Sequence, residues 1–228
     1  MGILRAFVFK KLYTKDLYRK RIIREYLETH EVTKLHLGCG WHRLPGWLNT
    51  DVDFCSCRRG VVYLDAGAAF PISDSSIDFV FSEHMFKHLG YEQAVNMVRE
   101  CHRVLKIGGT LRMATPDFQF LENLYLHPEE TANKSYIEWS AGGGGNCPPI
   151  PATALHVINK FHTSWEHQII YDRESITCLL EENGFQHVRF CEIGKSSILA
   201  LNQIEGHFKC MPYEFYQLET MIVEADKC

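Results

Sequence analysis

The sequence predicts an α/β fold, a mostly parallel sheet with helices on its faces, and three observations carry that expectation. Short apolar runs separated by turn residues, at 34–37, 46–52, 61–64, 77–82 and 110–115, have the length and composition of strands. Within 91–105, Ala94, Val95, Val98, Cys101, Val104 and Leu105 recur at helical spacing. The first run ends on Gly38-Cys39-Gly40 and the second reaches Asp51, so a glycine turn and a carboxylate close successive strands. Strands alternating with helices give a parallel sheet whose ligands bind at the carboxyl ends of the strands.

Upstream of the first strand, residues 1–31 read as a basic helical extension. Arg5, Lys10, Lys11, Lys15, Arg19, Lys20, Arg21 and Arg24 face only Asp16 before Glu25, with Leu12, Leu17, Ile22, Ile23, Tyr26 and Leu27 as apolar contacts. Such a helix either packs on the domain with its basic face in solvent or meets an anionic lipid or phosphorylated surface, where each Lys or Arg contributes ~1 kcal/mol.

Residues 32–228 read as one domain. The stretch 38–47 is too short for a full strand-helix-strand crossover and Pro45-Gly46 interrupts it, so any helix there is about one turn. After the fifth strand, Asp117 suits a helix cap or a place facing the substrate, the cap being the simpler role. An insertion at about 140–171 breaks the alternation: Gly142 to Gly145 are followed by Pro148, Pro149 and Pro151, a flexible stretch and then a stiff one. It suits a lid over a site or a surface loop. A helix opens on Asp172 and stops at Gly184. Residues 187–193 and 217–225 then read as strands, an antiparallel edge hairpin, and 194–216 between them shows Pro212 and no clear element.

Composition narrows the function. The chain has 228 residues, 46% of them hydrophobic, enough for a full core, and a net charge of -4 gives no broad basic footprint for nucleic acid. Nine cysteines, an odd number, with Cys55 and Cys57 as the closest pair, match neither a zinc ribbon nor a disulfide framework. No apolar run near the N-terminus approaches the ~20 residues of a membrane span, and Ala6 stands where myristoylation needs Ser or Thr. A cytoplasmic protein is expected, with peripheral membrane contact through the basic helix as an option.

A dinucleotide fingerprint would place a third glycine at position 43, which is Arg43, and its acid ~20 residues on, whereas Asp51 arrives earlier. The site after the turn is therefore expected to be wide rather than built around a long helix gripping a pyrophosphate. A strand-end carboxylate can take both ribose hydroxyls, a role for Asp51, and one a strand further on can accept from the adenine amine, a role for Asp65.

LHLGCG, NTDVD, YLDAGAAFPISDSSIDFVFSEHMFKHL, RECHRVLKIGGTLRMATPD and YDRESITCLLEENGF, in this order, resemble the successive motifs of class I S-adenosylmethionine-dependent methyltransferases over about 34–227. The resemblance is to the compact bacterial branch with a shortened glycine-turn region, whose members often belong to cell-surface saccharide or secondary-metabolite pathways. It implies a Rossmann-like class I methyltransferase fold, with a seven-stranded, mostly parallel sheet, an antiparallel edge strand and helices on both faces. It implies S-adenosyl-L-methionine as cofactor, with Gly38, Cys39 and Gly40 beside the methionine moiety and Asp51 on the ribose. Asp65 and the Ala66 backbone would hold the adenine, and Ser82 and His84 would line the sulfonium end. Two positions depart from the family: His36 stands where an acid is common, and Lys87 where Leu-Glu-His carries Glu.

Methyl transfer from a sulfonium needs in-line placement, and a base only where the acceptor is protonated. The candidates are His84, His88, His162, His167 and Tyr171, with Trp165 as a wall. His156, His162, His167 and Glu166 match no standard zinc spacing, so no metal is expected. The expected reaction is methyl transfer to a small-molecule or saccharide acceptor. Two alternatives are aminocarboxypropyl transfer or cyclisation releasing methylthioadenosine, motivated by His36 and Lys87, and a non-catalytic module that docks through its basic helix.

Overall fold

The computed structural model describes residues 16–53 and 60–228. Arg5, Lys10, Lys11, Leu12 and Lys15 of the basic segment, and the Cys55 and Cys57 pair, lie outside the described residues. The seven-stranded sheet runs in the order β3-β2-β1-β4-β5-β7-β6. Its strands are β1 (Lys34–Leu37), β2 (Leu48–Asp51), β3 (Val62–Tyr63), β4 (Ile77–Glu83), β5 (Leu105–Pro116), β6 (Phe185–Cys191) and β7 (Thr220–Lys227). The pairs from β3 through β5 are parallel. β7 is antiparallel to both β5 and β6, so the antiparallel strand sits one place in from the edge.

Central strands of a parallel sheet are covered on both faces and read as near-continuous apolar runs. Leu35, Leu37, Ile77, Val80 and Leu111 are accordingly fully buried. The pattern in 91–105 forms a helix, α2 (Tyr91–Val104), after the N-terminal α1 (Asp16–Thr29). Its apolar stripe, Ala94, Met97, Val98, Cys101 and Val104, faces the core. α1 docks through Ile23 and Tyr26, whose hydroxyl accepts from the Lys34 amide at 2.9 Å. Leu17, expected as an apolar contact, is 86% exposed.

Between β5 and β6 lie α3 (Phe118–Leu126), α4 (Thr131–Ala141), α5 (Ala154–Thr163) and α6 (Arg173–Glu182). Asp117 caps α3, accepting from the Gln119 amide, and Asp172 caps α6. Phe120, Leu124, Tyr136, Val157, Phe161 and Phe215 join α3, α4, α5 and α7 (Tyr213–Glu219) in a second core beside the carboxyl ends of the strands. α7 and the 3-10 turns Leu199–Leu201 and His207–Cys210 occupy the connection that showed no clear element, and β7 begins at Thr220 rather than at 217.

The glycine run of the insertion is tied down. Buried Lys160 donates to the carbonyls of Ser140 at 2.6 Å and Gly144 at 2.9 Å, and Trp165 Nε1 donates to the Gly145 carbonyl at 3.0 Å. A Cβ on Gly145 would stand 2.8 Å from the Trp165 ring, so glycine is required for this approach. Lys160→Met leaves buried carbonyls without a donor and is expected to cost about 1–3 kcal/mol. Denaturant midpoints measure this, and faster amide exchange in 142–147 would accompany it.

Candidate active site

The strand order reverses between β1 and β4, where open α/β sheets bind ligands. The Gly38-Cys39-Gly40 turn leaves β1 there, both glycines at positive φ. A Cβ on Gly40 would meet nothing within 4 Å, so the turn borders open space. The Gly40 amide donates to Asp51 Oδ2 at 2.7 Å, and the Asp53 amide to Oδ1 at 2.7 Å. The Cys39 amide donates to the Thr50 carbonyl and the Leu64 amide to the Asp51 carbonyl, which sets the ends of β1, β2 and β3 side by side.

A cleft of about 360 Å³ starts at this turn. His36, Gly38, Cys39, Gly40 and His84 line it, as five of the predicted cofactor residues. His36 is buried on a central strand with Nδ1 3.2 Å from Asn49 Oδ1, and burial pushes its pKa down to about 4. Asp51 is buried at the end of β2; Asp65, half-buried after β3, accepts from the Gly67 amide, with Ala66 buried behind it. These three stand on neighbouring strand ends outside the cleft lining. Ser82 is buried on β4, its hydroxyl without a hydrogen-bond partner among the described residues. Open space at a glycine turn, strand-end carboxylates and an orphaned hydroxyl fit an adenosine with an amino-acid tail.

Glu83 ends β4 as a clasp. Its carboxylate accepts from the amides of Gly206 and His207, from the Tyr216 hydroxyl at 2.7 Å and lies 3.3 Å from His42 Nδ1. Burial raises its pKa, but these hydrogen bonds outweigh it and hold the carboxyl below its ordinary value. The clasp brings 206–210 over the cleft.

Beyond His84 lies a second cavity, of about 270 Å³. Tyr136, Trp139, Phe161 and Trp165 form its aromatic walls; His84, Lys87, His88, His167, His207 and Glu219 supply the polar groups. His84 adopts φ +50, a left-handed conformation costing of order 1–3 kcal/mol for a residue with a side chain. Its Nδ1 is 3.0 Å from Lys87 Nζ and its Nε2 3.0 Å from Thr220 Oγ1. Glu219 Oε2 accepts from the Tyr136 hydroxyl at 2.6 Å.

Burial dominates the electrostatics. It pushes Lys87 down to about 8 and raises Glu219, while burial followed by the Lys87 charge depresses His84 and His88 and takes His167 to about 3. The histidines are therefore neutral at pH 7. For a histidine whose folded pKa is depressed, stability is full above the unfolded value near 6.5 and is lost as pH falls through the folded one. From His36 alone, a fall from pH 6.5 to about 4 is expected to remove ~3 kcal/mol. Urea midpoints across that range measure it, and midpoints unchanged between pH 7 and 4.5 would contradict neutral burial.

Two predicted catalytic residues stand away from the cavity. His162 is exposed on the outer face of α5. Tyr171 is buried against Phe86, its ring 5.0 Å from that ring, and belongs to the main core. His88 and His167 line the cavity edge to face, and His167 Nδ1 is 2.7 Å from the Phe161 carbonyl. The sequence reading missed Glu83, His207 and Glu219; the last two lie in or beside stretches whose local pattern is weak, whereas Glu83, next to His84 at a strand end, carried a usable signal. Among the described residues no group of three or more metal-ligating side chains occurs, and no helix is long and apolar enough to cross a membrane.

A family profile for the methyltransferase domain matches residues 35–113, the span from β1 into β5. No curated protein matches the chain. Among solved structures, a S-adenosylmethionine-dependent methyltransferase of Archaeoglobus fulgidus is similar at 17% identity, over 97% of this chain and 99% of that one, with a TM-score of 0.50. A Thermotoga maritima methyltransferase, described as a possible histamine N-methyltransferase, is similar at 15% identity over 98% and 94%, also with a TM-score of 0.50. At such identities the structural likeness is one of fold. Residues 35–113 match the methyltransferase-domain profile, and the strand order with the glycine turn at the sheet's switch point agrees with the fold shared by these S-adenosylmethionine-dependent methyltransferase structures.

Proposed function

We propose that this domain transfers the methyl group of S-adenosylmethionine to a compact small-molecule or saccharide acceptor seated in the aromatic and histidine-lined cavity. The observation that carries this reading is the meeting of two spaces: the cleft at the glycine turn and the cavity share His84, His207 and Cys210. S-Adenosylmethionine supplies an already activated methyl group, so the protein's task is placement and proton removal. In this reading Gly38, Cys39 and Gly40 border the methionine end, Asp51 takes the ribose hydroxyls, Asp65 and Ala66 hold the adenine, and Ser82 and His84 face the sulfonium. The four aromatic walls suit an acceptor with a flat or apolar face, a sugar ring included.

The test is incubation with methyl-labelled S-adenosylmethionine and a panel of phenols, methyl glycosides and amines, with nucleoside products read by mass spectrometry. Labelled acceptor with S-adenosylhomocysteine as the only nucleoside product is expected. Methylthioadenosine above a no-enzyme control would overturn methyl transfer in favour of attack at another carbon of the sulfonium.

A further inference from the structure

The acceptor atom must meet the donor where cleft and cavity join, so the three residues common to both surround the reacting centre. Cys210 is an exposed residue of the rim. His84 is already committed. An ammonium group has only donors to offer, so Lys87 fixes His84 Nδ1 as an acceptor, and Nε2 carries the proton directed at Thr220 Oγ1. Neither nitrogen is left to take a proton from a ligand.

His207 differs. Its ring lies flat on His84, centroids 4.1 Å apart and planes 9° apart, and its backbone amide is clamped by Glu83 Oε1 at 2.9 Å. Position and orientation are thus fixed from behind and below, while among the described residues no hydrogen bond reaches either ring nitrogen. Burial, then the Lys87 charge, holds its pKa below the ordinary imidazole value, which keeps the ring neutral.

The cavity also limits the acceptor's charge. Lys87, buried and cationic below about pH 8, repels a positively charged acceptor, while burial raises the Glu219 carboxyl toward its neutral form. An uncharged hydroxyl compound meets no such repulsion, and it must lose a proton on methylation.

We propose that His207 is a catalytic residue of this site, the base that takes the proton from an uncharged hydroxyl acceptor during methyl transfer. The acceptor oxygen forms its bond to the methyl carbon as the carbon–sulfur bond breaks with its electron pair going to sulfur. The hydroxyl proton passes to the free ring nitrogen of His207, leaving an imidazolium, a methyl ether and S-adenosylhomocysteine. The inference rests on the methyl-transfer reading.

Its test needs no identified acceptor. Sinefungin carries a primary amine where S-adenosylmethionine carries the methyl-bearing sulfonium, so its ammonium reports on the groups facing the transferred methyl. Titration calorimetry compares sinefungin with S-adenosylhomocysteine on wild type, His207→Phe and His207→Gln. His207→Phe is expected to weaken sinefungin at least tenfold and S-adenosylhomocysteine less than twofold, and His207→Gln, which keeps an acceptor oxygen, to recover part of the loss. Equal weakening of both ligands would make His207 a wall of the cofactor cleft, and no change in either would place it away from the reacting centre; each overturns the proposal. Labelled transfer to amines alone in the acceptor panel would overturn it too. Failure of folded wild type to bind either ligand would overturn the methyl-transfer reading itself, and this inference with it.

Discussion

Arg112→Ala is expected to destabilise the protein by about 3–5 kcal/mol, the usual cost of removing one partner from a buried ion pair. Arg112 stands on β5 with no exposed surface. Its Nε donates to Glu205 Oε1 at 2.7 Å, and its Nη1 to Glu224 Oε1 at 2.6 Å and to the Lys195 carbonyl at 3.1 Å. Glu224 has a second cation in Arg189, 3.0 Å away, but Glu205 has no other ion-pair partner among the described residues. The substitution therefore leaves Glu205 buried and uncompensated beside Gly206, at the base of the turn that carries His207. Arg112→Lys restores a charge without the planar fork that reaches both carboxylates, so an intermediate loss is expected. Urea unfolding reads both. A loss under 1 kcal/mol for the alanine variant would mean that the network is solvated.

Asp51→Ala is expected to weaken S-adenosylmethionine binding at least tenfold, about 1.4 kcal/mol or more. Part of that loss would come from the ligand side and part from the protein. Asp51 accepts the Gly40 amide, so its carboxylate holds the glycine turn in place in addition to the ribose contact proposed for it. Asp51→Asn separates the two in part, since its one amide oxygen can still accept from Gly40 while the charge and the second acceptor, which takes the Asp53 amide, are gone. Affinity restored by Asn would assign the effect to the turn, and affinity lost in both variants with unchanged unfolding midpoints would assign it to the ribose. Unchanged affinity in the alanine variant would contradict the placement of the ribose at Asp51.

The parts of the fold legible in the sequence are those with strong local patterns. Parallel core strands are apolar on both faces, α2 repeats its stripe over four turns, and Asp172 with Ser175 forms a reciprocal cap that any reading of helix starts detects. The same locality made Gly38, Cys39, Gly40 and Asp51 stand out, because turn chemistry and strand ends are neighbours in sequence. The second cavity was less legible because its walls come from α4, α5, the 207–211 turn and α7, brought together only by tertiary packing. Trp165 and His167 were noticed as residue types, whereas Tyr136 and Trp139 look like ordinary helix residues. His207 shows nothing locally; its position depends on Glu83, more than a hundred residues earlier. Tyr171 lies close in sequence to the histidine-bearing segment, but its ring packs on Phe86 in the main core instead of at the pocket.

Titration calorimetry of the folded wild-type protein with S-adenosylmethionine and with NAD in parallel tests the central claim most directly. The account predicts stoichiometric binding of S-adenosylmethionine and none of NAD, because the turn lacks the third glycine and the long helix that grip a pyrophosphate. Binding of NAD, or of neither ligand, would contradict it.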